Sequence, residues 1–223
     1  MASAKLEPKE EGCLRDPVVA PFDSGVLKTN VPFYASEVVN ISPTPDAPIR
    51  VHVGLLSEKA PKLLPSSIKQ QNYEILARFV EWAYTGSYKI NHNEDIRDAW
   101  FEQGSTESLY ENMKLHIRVM VFAHKYEIDS LYDDTYNQLT KATTWLFSMD
   151  RSNDYIEGFV DFCAFTLKRV ERDTSSWDYL AFQTAKHLET VGKAKNFTSL
   201  LTEIPQFAVA IIQNIRTPVF YDY

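Results

Sequence analysis

Apolar residues recur at helical spacing between Asn72 and Tyr88, where large side chains fall at positions i, i+1, i+4 and i+5. They are Ile75, Leu76, Phe79, Val80, Ala83 and Tyr84. This rhythm places a broad apolar stripe along one side of a helix. Gly86 follows the stripe, and glycine readily adopts the left-handed backbone that ends many helices. The pattern therefore predicts a helix that stops at Gly86 and turns its apolar side toward a core.

Two more stripes follow further along the chain, separated by the short break Glu127-Ile128-Asp129. The first consists of Leu115, Val119, Phe122, Ala123 and Tyr126, and the second of Leu131, Tyr132, Thr135 and Leu139. Asp129 can cap the second helix, since its side chain can accept hydrogen bonds from the unpaired N–H groups of a first helical turn. We expect the two helices to form a hairpin.

The N-terminal part of the chain carries the signature of strands. The β-branched segment Val38 to Ile41 and the alternating segment Ile49 to Val53 flank a proline-rich stretch that cannot continue a strand. They predict two antiparallel strands joined by a loop. The segment Gly54 to Pro61 then predicts a short helix. We expect it to end before Pro61, because the residue before a proline disfavours helical backbone.

The C-terminal part predicts a small helical bundle, because three apolar stripes at helical spacing follow one another. The first holds Ile156, Phe159, Val160, Cys163 and Leu167; the second follows Ser175 and holds Leu180, Ala181, Ala185 and Leu188; the third starts at Pro205 and holds Phe207, Ala208, Ile211, Ile212 and Ile215.

Three regions lack any such periodicity. Residues 1–21 mix charged residues, alanine and proline, and predict a disordered lead. A polar stretch at about 89–108 predicts an insertion loop. Residues 218–223 form a tail.

Composition narrows the function classes. With 223 residues and 44% hydrophobic residues the chain can bury a core, while a net charge of -7 argues against direct nucleic-acid binding. Cys13 and Cys163 form neither a disulfide framework nor a metal pattern. The charged N-terminus is unlike a signal peptide, and no apolar run has the length of a membrane span. We expect a cytoplasmic or nuclear protein that does not contact membranes.

Candidate chemistry is sparse. The histidines His52, His92, His116, His124 and His187 never take the spacing of a zinc site. Seven glycines form neither a phosphate-binding loop nor a nucleophile elbow. Cys163 lies on an apolar stripe, where a thiol behaves as a small hydrophobic group. The sequence therefore predicts no enzyme, no catalytic residue, no metal and no cofactor.

Four segments carry a resemblance to BTB/POZ domains, and the two strongest follow each other in the order of that family. The segment Phe79 to Tyr88 contains Tyr84-Thr85-Gly86 and resembles a helix end of that family. Ala123 to Leu131 is similar to its signature Ala-x-Lys-Tyr-x-Ile-x-x-Leu. Val51 to Leu56 resembles the opening strand and helix, and Leu200 to Ala208 resembles the C-terminal segment of fungal members.

The resemblance implies an α+β fold: a BTB/POZ-like helical cluster with a small N-terminal β-sheet at 22–142, followed by an all-α C-terminal extension at 143–217. The first part is incomplete. Members of the family carry a further helix, loop and strand where this chain passes directly from Lys62 to Leu63. Two origins are open for this apparent internal deletion. Either a natural variant of the family has lost the unit, or the sequence comes from a gene model that lacks an exon.

The same resemblance implies a non-catalytic protein-interaction module, such as a substrate adaptor for a cullin-type ubiquitin ligase. The alternative is a nuclear, transcription-associated scaffold that uses the domain without ubiquitin transfer. The implied partners are other proteins, among them a cullin scaffold, and a second copy of the chain in a homodimer. The partner-binding candidates lie on the hairpin: Leu115, Val119, Phe122, Tyr126, Leu131 and Tyr132. The dimerisation candidates lie near the first strand and helix: Val26, Leu27, Leu55 and Leu56.

Overall fold

The computed structural model of this chain describes residues 32–41, 48–63, 68, 71–89, 106–148, 153–172 and 175–216. These residues all fall within one compact unit. The predicted lead at 1–21, the tail at 218–223 and most of the predicted loop at 89–108 lie outside the described residues.

The described chain is mostly helical, with a two-stranded antiparallel sheet near its start. In chain order its elements are a short 3-10 helix (Phe33–Ala35), β1 (Val38–Asn40), β2 (Arg50–His52), α1 (Val53–Lys59), α2 (Tyr73–Thr85), α3 (Thr106–Lys125), α4 (Asp129–Ser148), α5 (Asn153–Leu167), α6 (Ser175–Lys186), α7 (Leu188–Val191), α8 (Phe197–Glu203) and α9 (Pro205–Arg216). The α+β class predicted from the sequence is confirmed at this level.

The two strands pair as the alternation of apolar and polar residues predicts. Val39 lies opposite Val51, and Asn40 lies opposite Arg50. The Val51 side chain is fully buried, because it is the inward-facing member of β2. Helix α1 follows without a loop, and its first turn is tied back when the Gly54 N–H donates to Ser36 Oγ at 2.8 Å.

Helix α2 begins and ends where the sequence predicts. The Asn72 side chain accepts a hydrogen bond from the Glu74 N–H at 2.8 Å, which caps the start of the helix. At the other end Gly86 takes φ 81° and its N–H donates to the Trp82 carbonyl oxygen. Leu76, Phe79 and Ala83 of the predicted stripe are buried, and Ile75 and Val80 are half-buried. The prediction differs at Trp82, which is buried although the stripe omits it, and at Tyr84, which is 40% exposed and whose hydroxyl bonds His52.

Helices α3 and α4 form the predicted hairpin, and both are longer than their stripes indicated. Helix α3 starts at Thr106, so the last residues assigned to the insertion loop are helical. Helix α4 continues without interruption to Ser148. The proposed domain boundary at residue 142 therefore falls inside a helix.

Helix α3 contributes to two hydrophobic cores from different sides. Leu115, Val119 and Phe122 join the sheet, α1, α2 and the start of α4 in one core. Met113 and Ile117, among others, join the end of α4 and the C-terminal helices in the other. The N-terminal and C-terminal parts are thus built around a shared helix.

The first C-terminal stripe is confirmed and the other two are confirmed in part. In the second, Leu180 and Ala181 are buried, but α6 ends at Lys186 and the half-buried Leu188 begins α7. Every residue of the predicted α5 stripe is buried. In α9, Phe207 and Ile211 pack inward, and the Phe207 ring meets Trp177 of α6 edge to face at 6.1 Å between centroids. Ile212 and Ile215, which the stripe placed in the core, are 48% and 51% exposed, because α9 packs by one narrow side on α6 and α8.

Two negative findings concern the described residues alone. None of their helices combines the length and apolar character needed to cross a membrane. Nor do three or more His, Cys, Asp or Glu side chains come together there in an arrangement that could hold a metal ion.

Candidate functional site

The hairpin residues predicted to bind a partner are mostly part of the core. Leu115, Val119, Phe122, Tyr126 and Leu131 are between 0% and 4% exposed, and all pack against α2 and the sheet region. A partner could reach them only if the core opened, so their prediction as contact residues is corrected. Tyr132 is the exception, since it is only half-buried and lines a surface cleft.

The predicted dimerisation residues are divided in the same way. Leu55 is buried at 1% exposure and Leu56 is half-buried against the same core. Val26 and Leu27 lie outside the described residues.

A chain of buried hydrogen bonds links the end of α2 to both helices of the hairpin. Tyr88 Oη lies 2.5 Å from His116 Nδ1 and donates to Thr135 Oγ1 at 3.3 Å. Thr135 in turn donates to the Leu131 carbonyl oxygen at 2.7 Å. Each hydroxyl has one proton to give, so His116 Nδ1–H is the donor to Tyr88 in a single consistent arrangement. Both the neutral and the protonated imidazole can carry this Nδ1–H, so the burial of His116 decides which form is present.

Burial sets the acid–base behaviour of this network. Desolvation lowers the pKa of His116 to about 3, with the positive charge of Arg78 as a smaller cause. Desolvation also raises the pKa of Tyr88. As a neutral, buried residue, His116 has a structural role: it links Tyr88, after the end of α2, to the hairpin.

Cys163 has the surroundings predicted for it. The thiol is 1% exposed, and burial raises its pKa, although a hydrogen bond with Thr184 acts in the opposite direction. A thiol held in its protonated form within the core is a poor nucleophile. Cys163 therefore serves as a packing residue.

The surface cleft lies where the end of α3, the first turn of α4 and the chain leaving α5 meet. Its volume is about 330 Å³. The residues that line it are Met120, Val121, His124, Lys125, Tyr132, Arg169, Val170 and Glu171. The cleft is at the lower end of the range for small-molecule pockets, a size that suits one or two side chains of a partner.

The cleft has an apolar floor and a polar rim. Met120, fully buried, and the half-buried Val121 and Val170 form the floor. On the rim, His124 Nε2 stands 3.8 Å from Glu171 Oε2, and both side chains are more than half exposed. Such a surface can receive an apolar side chain and offer hydrogen-bonding groups around it.

Tyr132 is held in place as one wall of the cleft. Its hydroxyl lies 3.2 Å from Ser175 Oγ and 3.3 Å from Ser176 Oγ at the start of α6. Its ring meets the His124 ring at 6.2 Å between centroids. Tyr132 is therefore hydrogen-bonded to α6 and in ring contact with α3, which fixes this wall of the cleft.

Basic side chains of α3 and of the chain that leaves α5 lie together beside the cleft, and we call this group the basic ridge: Lys114, Arg118, Lys125 and Arg169. Three of them surround the Phe165 ring of α5, with Arg169 Cζ 3.7 Å, Arg118 Cζ 5.5 Å and Lys114 Nζ 5.8 Å from its centroid. A positive charge over an aromatic face is attracted to it. The ring therefore holds the basic groups in a fixed cluster.

The cleft and the basic ridge were missed from the sequence. Lys114, Arg118 and Lys125 are spaced four and seven apart, which places them on one face of a helix. That spacing was a usable signal, whereas the contribution of Arg169 depends on how α5 packs beside α3.

Comparisons of the chain with protein-family models, with curated proteins and with solved structures found no match.

Proposed function

We propose that this chain is a non-catalytic protein-interaction module of the BTB/POZ type, and that a partner protein docks at the cleft between the hairpin and the C-terminal helices. The observation that carries the proposal is the make-up of the cleft. Its floor is apolar, its rim is polar and exposed, and its wall residue Tyr132 is fixed by hydrogen bonds.

Two further observations support an interaction role. Motifs similar to those of BTB/POZ domains occur in family order at Phe79 to Tyr88 and Ala123 to Leu131. The second motif ends α3 and begins α4, so it includes the cleft residues His124 and Lys125. A partner at the cleft would therefore touch a segment that the resemblance already links to partner binding.

The resemblance favours a substrate adaptor for a cullin-type ubiquitin ligase. In that role the hairpin would contact the cullin scaffold, and the chain could act as a homodimer. The second candidate is a nuclear, transcription-associated scaffold with the same domain and no ubiquitin transfer. Both roles place the protein in the cytoplasm or nucleus.

Affinity purification of the tagged full chain separates these roles. A cullin among the captured proteins supports the adaptor, while chromatin regulators without a cullin support the scaffold. The site itself is tested by His124→Trp, which puts a large ring over the cleft from its exposed rim. The matched control is Glu189→Trp, at an exposed residue of α7 that does not line the cleft.

We expect the captured partner to be lost with His124→Trp and kept with Glu189→Trp. Equal recovery with both variants would show that the partner binds elsewhere.

A further inference from the structure

Three residues of the basic ridge lie along one side of α3 together with Val121 of the cleft floor, and Arg169 lies beside them after α5. Lys114, Arg118, Val121 and Lys125 follow one another at helical spacings of four, three and four residues. At 1.5 Å rise per residue the row is roughly 16 Å long. The row and the cleft form one continuous surface, because Lys125 and Arg169 belong to both.

Most of the positive charge on this surface is uncompensated. Among the described residues, Arg118, Lys125 and Arg169 have no carboxylate oxygen within 4.0 Å, and Lys114 pairs with Glu111 at 2.7 Å. Glu171 is the acidic residue among those that line the cleft. In a chain of net charge -7, this is a local concentration of positive charge.

The guanidinium of Arg169 is oriented for binding. One N–H donates to the Phe165 carbonyl oxygen at 3.0 Å, and the group stacks over the Phe165 ring. That bond uses one of the five N–H donors of an arginine. The fixed position lowers the entropy cost of binding a carboxylate.

Helix ends offer a competing explanation for these charges. Lys125 ends α3 and Arg169 follows the end of α5, and positive residues stabilise helix C-termini. Arg118 lies well inside α3, where the helix dipole has little effect. The alignment of Arg118 with the others thus favours a ligand.

We propose that the basic ridge and the cleft together bind an acidic segment of a partner protein, in which at least two carboxylates lie beside one large apolar side chain. The carboxylates pair with Arg118, Lys125 and Arg169, and the apolar side chain enters the cleft. A nucleic acid would meet the charges but offers no apolar side chain for the floor. This inference rests on the proposed function and names the class of partner.

The test is fluorescence anisotropy with the full chain and a short fluorescein-labelled peptide of glutamates around a leucine and a phenylalanine. Three probes serve as comparisons: the peptide with glutamine for glutamate, the peptide with alanine for its two apolar residues, and a single-stranded RNA of similar length. Binding of the acidic peptide should weaken as salt is added, because exposed charges are screened.

The variant Lys125→Glu/Arg169→Glu should weaken peptide binding by about tenfold or more, since two attractive charges become repulsive. The matched control Lys186→Glu/Lys193→Glu makes the same change of net charge at exposed residues that do not line the cleft, and it should leave binding unchanged.

Four outcomes would overturn the proposal. The first is that the wild-type chain does not bind the peptide, and the second is that both double variants weaken binding equally. The third is that the RNA binds more tightly than the peptide, with the same dependence on the basic ridge. The fourth is that the ridge variant loses thermal stability while its affinity for the peptide stays the same. The last result would mean that Lys125 and Arg169 stabilise the C-terminal ends of their helices and do not bind a ligand. Loss of the captured partner with His124→Trp, together with failure here, would leave the docking site in place and reject only its acidic partner.

Discussion

Phe79 of α2 belongs to the core that α2 shares with the sheet, α1 and α3. It is fully buried, and its ring lies 5.5 Å from Phe122 and 6.4 Å from Trp82 between centroids. Phe79→Ala should lower the free energy of unfolding by about 3–5 kcal/mol, because it removes the ring and leaves a cavity. Phe79→Asp would bury an unpaired charge and should yield no soluble folded protein. Urea unfolding measures the first effect, and soluble yield measures the second.

The control for Phe79 lies on the same helix. Tyr73 is 43% exposed, so Tyr73→Ala should change the free energy of unfolding by about 0.5 kcal/mol or less. Unfolding of Phe79→Ala at the wild-type urea concentration would place that ring on the surface and contradict the orientation of α2.

His116 makes stability depend on pH. Its pKa is lowered to about 3 in the folded protein, while an unfolded histidine titrates near its ordinary value of 6.5. Below that value the unfolded state takes up a proton that the folded state does not, so stability falls as pH falls. Between pH 7 and pH 5 this histidine should cost about 2 kcal/mol of stability.

The measurement compares wild type with His116→Asn, whose amide nitrogen takes the position of Nδ1 and can still donate to Tyr88. The free energy of unfolding, measured with urea at both pH values, should fall about 2 kcal/mol further in the wild type than in the variant. Equal losses in the two proteins would mean that His116 takes up a proton in the folded state, against the effect of its burial.

At the scale of elements, the packing of α3 on α5 depends on Gly158. A Cβ atom at this position would overlap the Tyr110 ring of α3. Glycine to alanine inside a helix ordinarily stabilises by up to about 1 kcal/mol, through propensity alone. At Gly158 the steric overlap with Tyr110 outweighs this gain in helix propensity. Gly158→Ala should therefore destabilise the protein by about 1–3 kcal/mol in thermal or urea unfolding.

A double-mutant cycle isolates that contact. In a Tyr110→Ala background the ring is absent, so Gly158→Ala should become neutral or stabilising. The same destabilisation in both backgrounds would mean that α3 and α5 do not meet at these residues.

The elements were also where the sequence was most informative. The stripe from Ile75 to Tyr84 with Gly86 behind it predicted α2, since local spacing and a helix-ending glycine decide both the helix and its end. Tyr84 turned outward because of His52, which is distant in sequence. No local pattern contains such a contact.

For the candidate site the limit was different. Periodicity identifies the buried side of a helix, so Leu115, Val119 and Phe122 were recognised as important but taken for contact residues. The cleft formed instead on another side of α3, from residues of three separate elements. Only packing brings Val170 and Arg169 beside His124.

At the scale of the whole molecule, α3 connects two cores and still leaves one side to solvent. Its buried residues fix the hairpin, and its remaining side carries the floor and rim of the cleft together with the basic ridge. A surface built on a helix that is packed on two sides is rigid, and we propose this one as a docking site. Rigidity favours binding, since little conformational entropy is lost.

Photo-crosslinking in cell extract tests the docking site most directly. A benzoyl-phenylalanine is placed at His124 on the cleft rim or at Glu189 on α7, and the crosslinked protein is compared with the partner captured by affinity purification. The account predicts that the captured partner crosslinks from position 124 and not from position 189. Crosslinking of that partner from 189 and not from 124 would contradict the cleft as its docking site.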